Sequence, residues 1–116
     1  MGRIYVPERD ALMVVCSCPD SECAKQLAER IVSERLAACA NVVPGVTSIF
    51  EWNGALQSES EVVMVIKTTS QKYPQLEATL RQLHPYEVPE IIATPITHGL
   101  PDYLDWVTDS VEGKPL

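Results

Sequence analysis

The chain has 116 residues and a mass of 12.8 kDa, which is enough for one domain with a real core but not for two. Its 16 acidic residues outnumber its 9 basic ones, and at a net charge of −7 we expect no general nucleic-acid binding, because such domains concentrate positive charge. The longest apolar runs, residues 11–16 and 62–66, are far shorter than the ~20 residues of a membrane-spanning helix. We therefore expect neither a nucleic acid nor a membrane as partner.

The N-terminal residues and the cysteines indicate the compartment. Residues 1–9 read as a loose leader, and residues 1–10 lack the apolar segment of a secretory signal. We therefore expect a cytoplasmic location, where thiols stay reduced. The cysteine spacing, C-x-C-x4-C-x15-C, contains no CxxC pair of the kind found in zinc ribbons and thioredoxin motifs. By default the four cysteines are interpreted as small buried thiols: Cys16, Cys18, Cys23 and Cys39.

The first third of the chain predicts one strand followed by one helix. Residues 11–16 form a continuous apolar run rich in valine, which predicts a strand buried on both faces. After a stop at Pro19, apolar residues from Ala24 to Leu36 recur with the helical period. This pattern predicts a first helix with a single buried stripe.

The middle of the chain predicts a long hairpin. Residues 41–52 and 55–69 read as strands, and the Asn53-Gly54 pair between them is a strong signal for a tight turn. The first of these strands should span about 40 Å at ~3.3 Å per residue, whereas the first helix should cover only about 22 Å. The outer half of the hairpin should thus extend beyond the helix layer. Because it carries apolar side chains, we predict that another subunit covers it: Val46, Ile49, Phe50 and Trp52.

The last third of the chain predicts a second helix, a fourth strand and a terminal helix. The second helix should bury one stripe of four side chains: Tyr73, Leu76, Leu80 and Leu83. Pro85 and Pro89 end it, and residues 90–96 read as a short strand. Residues 103–107 fit a short C-terminal helix, after which residues 112–116 are expected to fray.

The predicted order is β-α-β-β-α-β plus a terminal helix, within a single domain over residues 1–116. This is the α+β, ferredoxin-like arrangement, with helices on one face of an antiparallel sheet. Right-handed crossovers favour the strand order 4-1-3-2. In that topology Cys16, Cys18 and His84 lie at one end of the sheet, and Cys39 lies at the other. A four-cysteine metal site within one subunit is therefore excluded, whereas a Cys16–His84 pair is allowed.

Cys16 and His84 together suit a soft metal. Thiolate and imidazole are ligands that copper accepts, Cu(I) in particular. The alternative is that Cys16 is a core thiol and His84 a helix C-terminal residue favoured by the helix dipole. We expect no enzymatic activity, because G-x-S-x-G, H-E-x-x-H and Walker A patterns are absent and only two histidines are present.

Several separated motifs occur in one order along the chain: residues 34–41 (ERLAACAN), Pro44-Gly45, Trp52-Asn53-Gly54, Lys67-Thr68-Thr69, residues 84–90 (HPYEVPE) and residues 103–106 (YLDW). With these motifs the chain resembles the CutA family of divalent-cation tolerance proteins over residues 10–108. The resemblance implies a cytoplasmic homotrimer of ferredoxin-like fold that binds copper and other divalent cations in the response to metal ions. The family is also similar in structure to the PII signalling proteins. A PII-like trimer that binds small molecules and acts through partner proteins is the alternative.

The resemblance also implies roles for individual residues. The metal-linked positions of the family fall here on Cys16 and His84, and Leu83 stands where one variant of the pattern has a second histidine. We therefore expect weaker copper binding, with Cys18 as a candidate replacement ligand on the same strand face. Other matching positions are expected at the trimer interface or in a pocket between subunits: Phe50, Trp52, Glu59, Lys67, Tyr86 and Glu90. For the charged residues the alternative interpretation is a solvated or inter-subunit ion pair, and for Trp52 and Tyr86 it is interface packing.

Overall fold

The computed structural model describes residues 10–116, so the predicted loose leader at residues 1–9 lies outside the described part of the chain. The elements follow one another as predicted: β1 (Ala11–Cys18), α1 (Ser21–Ser33), β2 (Cys39–Trp52), β3 (Ala55–Thr69), α2 (Tyr73–Leu83), β4 (Ile91–Pro95) and α3 (Pro101–Val111). The α+β class and the βαββαβ order with a terminal helix are confirmed. No helix of the described residues is long and apolar enough to cross a membrane.

The sheet has the order β2-β3-β1-β4, which is the predicted 4-1-3-2 read from the opposite edge. β1 pairs antiparallel with β3 on one side and β4 on the other. At the tip of the β2–β3 hairpin Asn53 and Gly54 have φ values of 51° and 79°, the left-handed pair that a tight hairpin turn needs. A bulge falls between Val43 and Val46, where the two intervening residues are a proline without an N–H and Gly45 at φ 80°.

Helices α1 and α2 cover one face of the sheet and form the main core with it. Alternate residues of β1 face this layer, among them Val14, Cys16 and Cys18, and all three are fully buried. The remaining members come from both helices, from the segment after α1 and from β3: Ala24, Leu27, Ile31, Leu36, Ala37, Val62, Met64, Ile66, Leu76 and Leu80. This face therefore supplies most of the hydrophobic stabilisation of the single chain.

Within residues 10–116, the opposite face of the sheet is covered only at one end, by α3. Ala11 and Ala38 pack there against Val107 and Val111, in a second and smaller core cluster. Beyond this cluster apolar side chains of three strands stay exposed on the sheet: Met13, Val43 and Ile92. In the single chain β1 is thus not buried on both faces as its apolar run predicted, because the 11-residue α3 is too short to cover the sheet.

Helix α1 ends at Ser33, three residues before the Leu36 that the apolar stripe included. Arg35 adopts a left-handed backbone with φ 62°, and its N–H donates to the carbonyl of Val32. The N–H of Leu36 donates to the carbonyl of Ile31 at 2.9 Å, which completes a Schellman motif. Leu36 is nevertheless buried, because this turn folds its side chain back against Ile31 in the core.

The side chain of Arg35 ties this turn to the C-terminal segment. Its Nε donates to the carbonyl of Lys114 at 3.1 Å and its Nη1 to the carbonyl of Ser110 at 3.3 Å. The N–H of Leu116 also donates to the carbonyl of Ser33 at 2.7 Å. The end of α1 is thus attached by one hydrogen bond to the last turn of α3 and by two to the segment after it.

The end of α2 also differs from the prediction. Leu76 and Leu80 are fully buried, as the stripe predicted, but Leu83 is 40% exposed. The expectation that Leu83 belongs to the buried stripe is therefore wrong. The helix ends at Leu83, and the backbone of His84 is extended, with φ −72° and ψ 138°. This change of direction turns the side chain of His84 into the protein instead.

Candidate functional site

Cys16, Cys18 and His84 form a cluster of soft donor atoms, here called the thiol–imidazole cluster. Their two sulfurs and one imidazole nitrogen all lie within 4.8 Å of one another, and all three residues are buried. The two cysteines share a face of β1 because they are two residues apart on a strand. His84 comes from the C-terminal end of α2. The structure thus brings together the three residues that the sequence nominated as metal ligands.

Both nitrogens of the His84 ring are hydrogen-bonded. Nδ1 accepts from the backbone N–H of Tyr86 at 3.1 Å, so Nδ1 carries no proton. Nε2 lies 2.7 Å from the carbonyl oxygen of Ser17, which can only accept, so Nε2 carries the proton and donates it. These two partners fix the tautomer of the ring, with Nδ1 as the acceptor and Nε2 as the donor. Its one lone pair in the ring plane points at the Tyr86 N–H.

The thiol of Cys18 is held in the protonated form. The pKa of Cys18 is raised far above its usual range, first by its hydrogen bond with Cys16 and then by burial. Burial also raises the pKa of the neighbouring Cys23, and the proximity of Cys18 adds to this effect. All four cysteines are free thiols. A metal that binds here must therefore displace thiol protons, which makes its affinity fall with falling pH.

The donor set fits a soft cation better than a hard one. Two sulfurs and an imidazole match copper, and Cu(I) in particular, whereas Mg²⁺ and Ca²⁺ select oxygen ligands. Cys16 and Cys18 are free to bind as thiolates once deprotonated. His84 can follow only by giving up a hydrogen bond, because both of its nitrogens are occupied. The residues thus fit copper. Cys16 and Cys18 can bind it without the loss of the His84 hydrogen bonds.

An open cleft of about 760 Å³ lies beside the cluster, between the β2–β3 hairpin and residues 85–90. Its lining contains five of the six residues that the sequence assigned to an interface or pocket: Phe50, Trp52, Glu59, Tyr86 and Glu90. Two hydrogen bonds join residues of its lining. The Oη of Tyr86 donates to Oε2 of Glu61 at 2.6 Å, and the Oγ of Ser17 donates to Oε1 of Glu90 at 3.2 Å.

The cleft is acidic and partly aromatic. Its described lining includes four carboxylates and no lysine or arginine: Glu59, Glu61, Glu87 and Glu90. Burial, followed by the hydrogen bond to Glu61, raises the pKa of Tyr86, so its hydroxyl stays a donor at neutral pH. Such a lining repels phosphates and attracts cations or neutral molecules. The cleft therefore differs from the glycine-rich, positively polarised sites that bind nucleotides.

Ser17 connects the cleft to the thiol–imidazole cluster, and the sequence reasoning did not single it out. Its carbonyl accepts from His84, while its hydroxyl on the other face of β1 contacts Glu90. The signal was its place between Cys16 and Cys18, since neighbouring strand residues face opposite sides of the sheet. Ser17 thus belongs to both sites.

Several candidate residues lie elsewhere. Lys67 does not line the cleft; it pairs in register with Cys39, and its Nζ donates to the side chain of Asn41. Cys39 is only half-buried, and its Sγ lies 3.7 Å from the Oη of Tyr103, away from the other thiols. His98 is exposed in a turn. The topology indicated that the four cysteines do not form one site, and their positions agree with this.

The fold and the cluster define a small α+β protein of ferredoxin-like topology with a buried set of soft donors beside an acidic cleft. Residues 12–110 match the family described as CutA1 divalent ion tolerance protein. The chain therefore belongs to the CutA1 divalent ion tolerance family, as its motifs indicated. The match includes every element except the first residue of β1 and the last residue of α3.

Individual relatives agree with this assignment. The mouse protein CutA is 46% identical over 116 residues, a match that covers 97% of this chain and 65% of the mouse protein. The solved structure of the divalent cation tolerance protein (Cut A1) from Thermus thermophilus superposes with a TM-score of 0.84 at 43% identity, covering 86% of this chain and 97% of that one. The periplasmic divalent cation tolerance protein CutA from Archaeoglobus fulgidus gives 0.85 at 34% identity, covering 88% and 99%.

Proposed function

We propose that this protein is a metal-tolerance protein that binds copper through the thiol–imidazole cluster, without catalysing a reaction. The observation that carries the proposal is the approach of two sulfurs and an imidazole nitrogen to within 4.8 Å of one another. Membership of a divalent ion tolerance family supports a metal as the ligand. The soft donors favour copper over magnesium and calcium. Other divalent metals that accept sulfur and nitrogen are further candidates.

We also propose that the protein works as a homotrimer in the cytoplasm. The apolar sheet face beyond α3 and the apolar outer hairpin both support assembly, because monomers rarely expose such large apolar surfaces. Ile49 is 69% exposed and Trp52 is 50% exposed in the single chain. The trimer should persist without metal, since apolar burial rather than coordination stabilises it. Free thiols support a reducing compartment.

Copper titration tests the proposed site. Purified protein should bind about one Cu(I) per chain in competition with a chelator, more tightly than Cu(II) and more weakly at low pH. Cys16→Ser and Cys18→Ser should each weaken binding at least about tenfold, because each removes a thiolate ligand. Cys39→Ser and His98→Ala are the matched controls and should bind like the wild type, since neither residue is near the cluster.

Two results would contradict this proposal. If the Cys16 and Cys18 variants both bind copper like the wild type, the ligands lie elsewhere. If removal of copper unfolds the protein, the metal is a structural element and the tolerance role fails. Thermal unfolding with and without a chelator distinguishes the second case, because the proposal expects no change in the apo trimer.

The cleft supports a second candidate function, a PII-like trimer that binds a small molecule and acts through partner proteins. The favouring observation is its volume of about 760 Å³, which is typical of small-molecule sites. The four carboxylates of its lining disfavour nucleotide phosphates. Titration with ATP and with small amines separates the cases: this candidate expects the amines to bind and ATP to fail.

A further inference from the structure

The tautomer of His84 determines how this residue can bind a metal. This inference rests on the proposed binding of copper at the thiol–imidazole cluster. A metal needs a ring nitrogen with a lone pair, and the only one available is Nδ1, which accepts from Tyr86. We infer that His84 joins the metal only by exchanging its bond with the Tyr86 N–H, so that metal binding loosens residues 84–90 and changes the cleft.

The two ring nitrogens differ in what ligation through them requires. Ligation through Nδ1 breaks one hydrogen bond, that with the N–H of Tyr86, and leaves Nε2–H on the carbonyl of Ser17. Ligation through Nε2 requires the proton to move to Nδ1, where it would face the N–H of Tyr86. Both hydrogen bonds are then lost, and two donors face each other. The exchange at Nδ1 is therefore the less costly route.

The segment that the exchange releases forms a wall of the cleft. The ring of Tyr86 contacts that of His84 in a tilted arrangement, with centroids 4.8 Å apart, and its hydroxyl donates to Glu61 on β3. Pro85, Glu87, Val88 and Glu90 of the same segment also line the cleft. When the Tyr86 N–H turns to water, this segment loses one of its bonds to the cluster, and the bond between Ser17 and Glu90 remains. The cluster and the cleft are thus two coupled sites, and a cleft ligand that orders Tyr86 opposes metal binding by the same factor.

The exchange balances simply. If the metal binds, the Nδ1 lone pair would coordinate it in place of the Tyr86 hydrogen, the Tyr86 N–H would bond to water, and the thiols of Cys16 and Cys18 would release their protons to solvent. The Nε2 proton remains where it is. No oxidant or reductant is needed when Cu(I) is the ion added.

Nuclear magnetic resonance of ¹⁵N-labelled full-length protein tests the exchange, with Cu(I) added without oxygen because the ion is diamagnetic. At saturation the Tyr86 amide should shift, and its hydrogen exchange should become about five- to tenfold faster, as for the loss of one hydrogen bond. The His84 ring should keep its Nε2–H. The amide of Leu116, which donates to Ser33, is an internal control and should not change.

A matched pair of variants gives a second measurement. Tyr86→Ala and Tyr86→Pro both lack the ring and the hydroxyl, but only the proline lacks the N–H that competes for Nδ1. The proline variant should therefore bind Cu(I) about five- to tenfold more tightly than the alanine variant. His84→Ala should abolish the response of the Tyr86 amide to Cu(I).

The outcomes separate the inference from the function on which it rests. If no Cu(I) binds, the proposed function and the inference both fail. If Cu(I) binds through Cys16 and Cys18 while the Tyr86 amide stays unshifted and protected, the function stands and the inference is wrong. Loss of the Nε2–H signal on binding would also overturn it, because the metal would then have taken the other nitrogen. The amide measurement uses the wild type, so misfolding of the proline variant does not weaken the test.

Discussion

The inner and outer halves of the β2–β3 hairpin carry similar apolar residues in different surroundings. In the inner half, residues 39–43 and 62–69, Val62, Met64 and Ile66 are buried beneath the helices. In the outer half, residues 46–61, Ile49 is 69% and Leu56 80% exposed. The two strands have 14 and 15 residues, and the helices that cover the sheet have 13 and 11. Because a helix rises less per residue than a strand, the helices span a much shorter distance than the strands do. Helix length, rather than strand sequence, thus decides which half is covered.

This difference implies that the two halves are stabilised in different ways. The inner half depends on packing within the chain, whereas the outer half depends on the proposed neighbouring subunits. Each half therefore predicts its own response to mutation and dilution.

The largest effect should come from placing a charge in the outer half. Trp52→Glu should dissociate the trimer, because a charge buried without a partner costs several kcal/mol at each interface. Light scattering at micromolar concentration measures the assembly. Gln82→Glu adds the same charge to the exposed face of α2 and is the control. A Trp52→Glu protein that remains a native trimer would refute the role given to the outer half.

The same substitution should cost far more in the main core than in the outer half. Leu76→Ala removes a fully buried side chain of α2 from the main core and should lower the free energy of unfolding by about 2–5 kcal/mol. Leu56→Ala removes a side chain that is mostly exposed in the chain, and should change it by less than about 0.5 kcal/mol. Urea denaturation measures both. A Leu56→Ala cost near that of Leu76→Ala would mean that neighbouring subunits bury Leu56 as well.

The turn of the outer half should show a purely conformational effect. Gly54 has φ 79°, and a Cβ added to it would meet nothing within 4 Å. Gly54→Ala should therefore cost about 1 kcal/mol through backbone strain alone, and Gly54→Asn less, because asparagine tolerates the left-handed region. Thermal unfolding of the two variants checks this order. Equal costs would point to a contact of the turn with another subunit.

The smallest effect should be on the pH dependence of stability, through Tyr73 of α2. Burial, together with the hydrogen bond to Glu77, raises the pKa of Tyr73 from its ordinary value of 10.0. A raised pKa in the folded state gives stability that is present below pH 10 and lost as the pH rises further, since the unfolded chain then deprotonates first. In the Tyr73→Phe variant this part of the decline in the free energy of unfolding at alkaline pH should be absent, and urea denaturation at several pH values measures it. An identical decline in both proteins would assign it to other groups.

The sequence predicted the elements well because their signals are local. Apolar periodicity fixes the identity of α1 and β1, and Asn53-Gly54 fixes the hairpin. The end of α1 was missed because an arginine, not a glycine, takes the left-handed position. Arg35 has its own compensation there, in hydrogen bonds to carbonyls about 75 residues away along the chain. No local pattern contains that information.

The candidate site could be predicted only in part for a similar reason. Topology indicated that Cys16 and His84 approach each other, because it places the ends of β1 and α2 together. The tautomer of His84 depends on two backbone groups, from Ser17 and Tyr86, whose directions arise only when the chain is folded. The exposure of Leu83 follows from the turn at His84, which the helical stripe does not contain.

The hydrogen bonds of Arg35 also govern how the chain responds to force. Together with the bond from the Leu116 N–H to the Ser33 carbonyl, they hold the C-terminal residues against the end of α1. Tension applied at the C-terminus must break the hydrogen bonds of Lys114 and Leu116 before it reaches α3 or the sheet. A tether attached there therefore loads these few hydrogen bonds first, and the main core bears force only after they break.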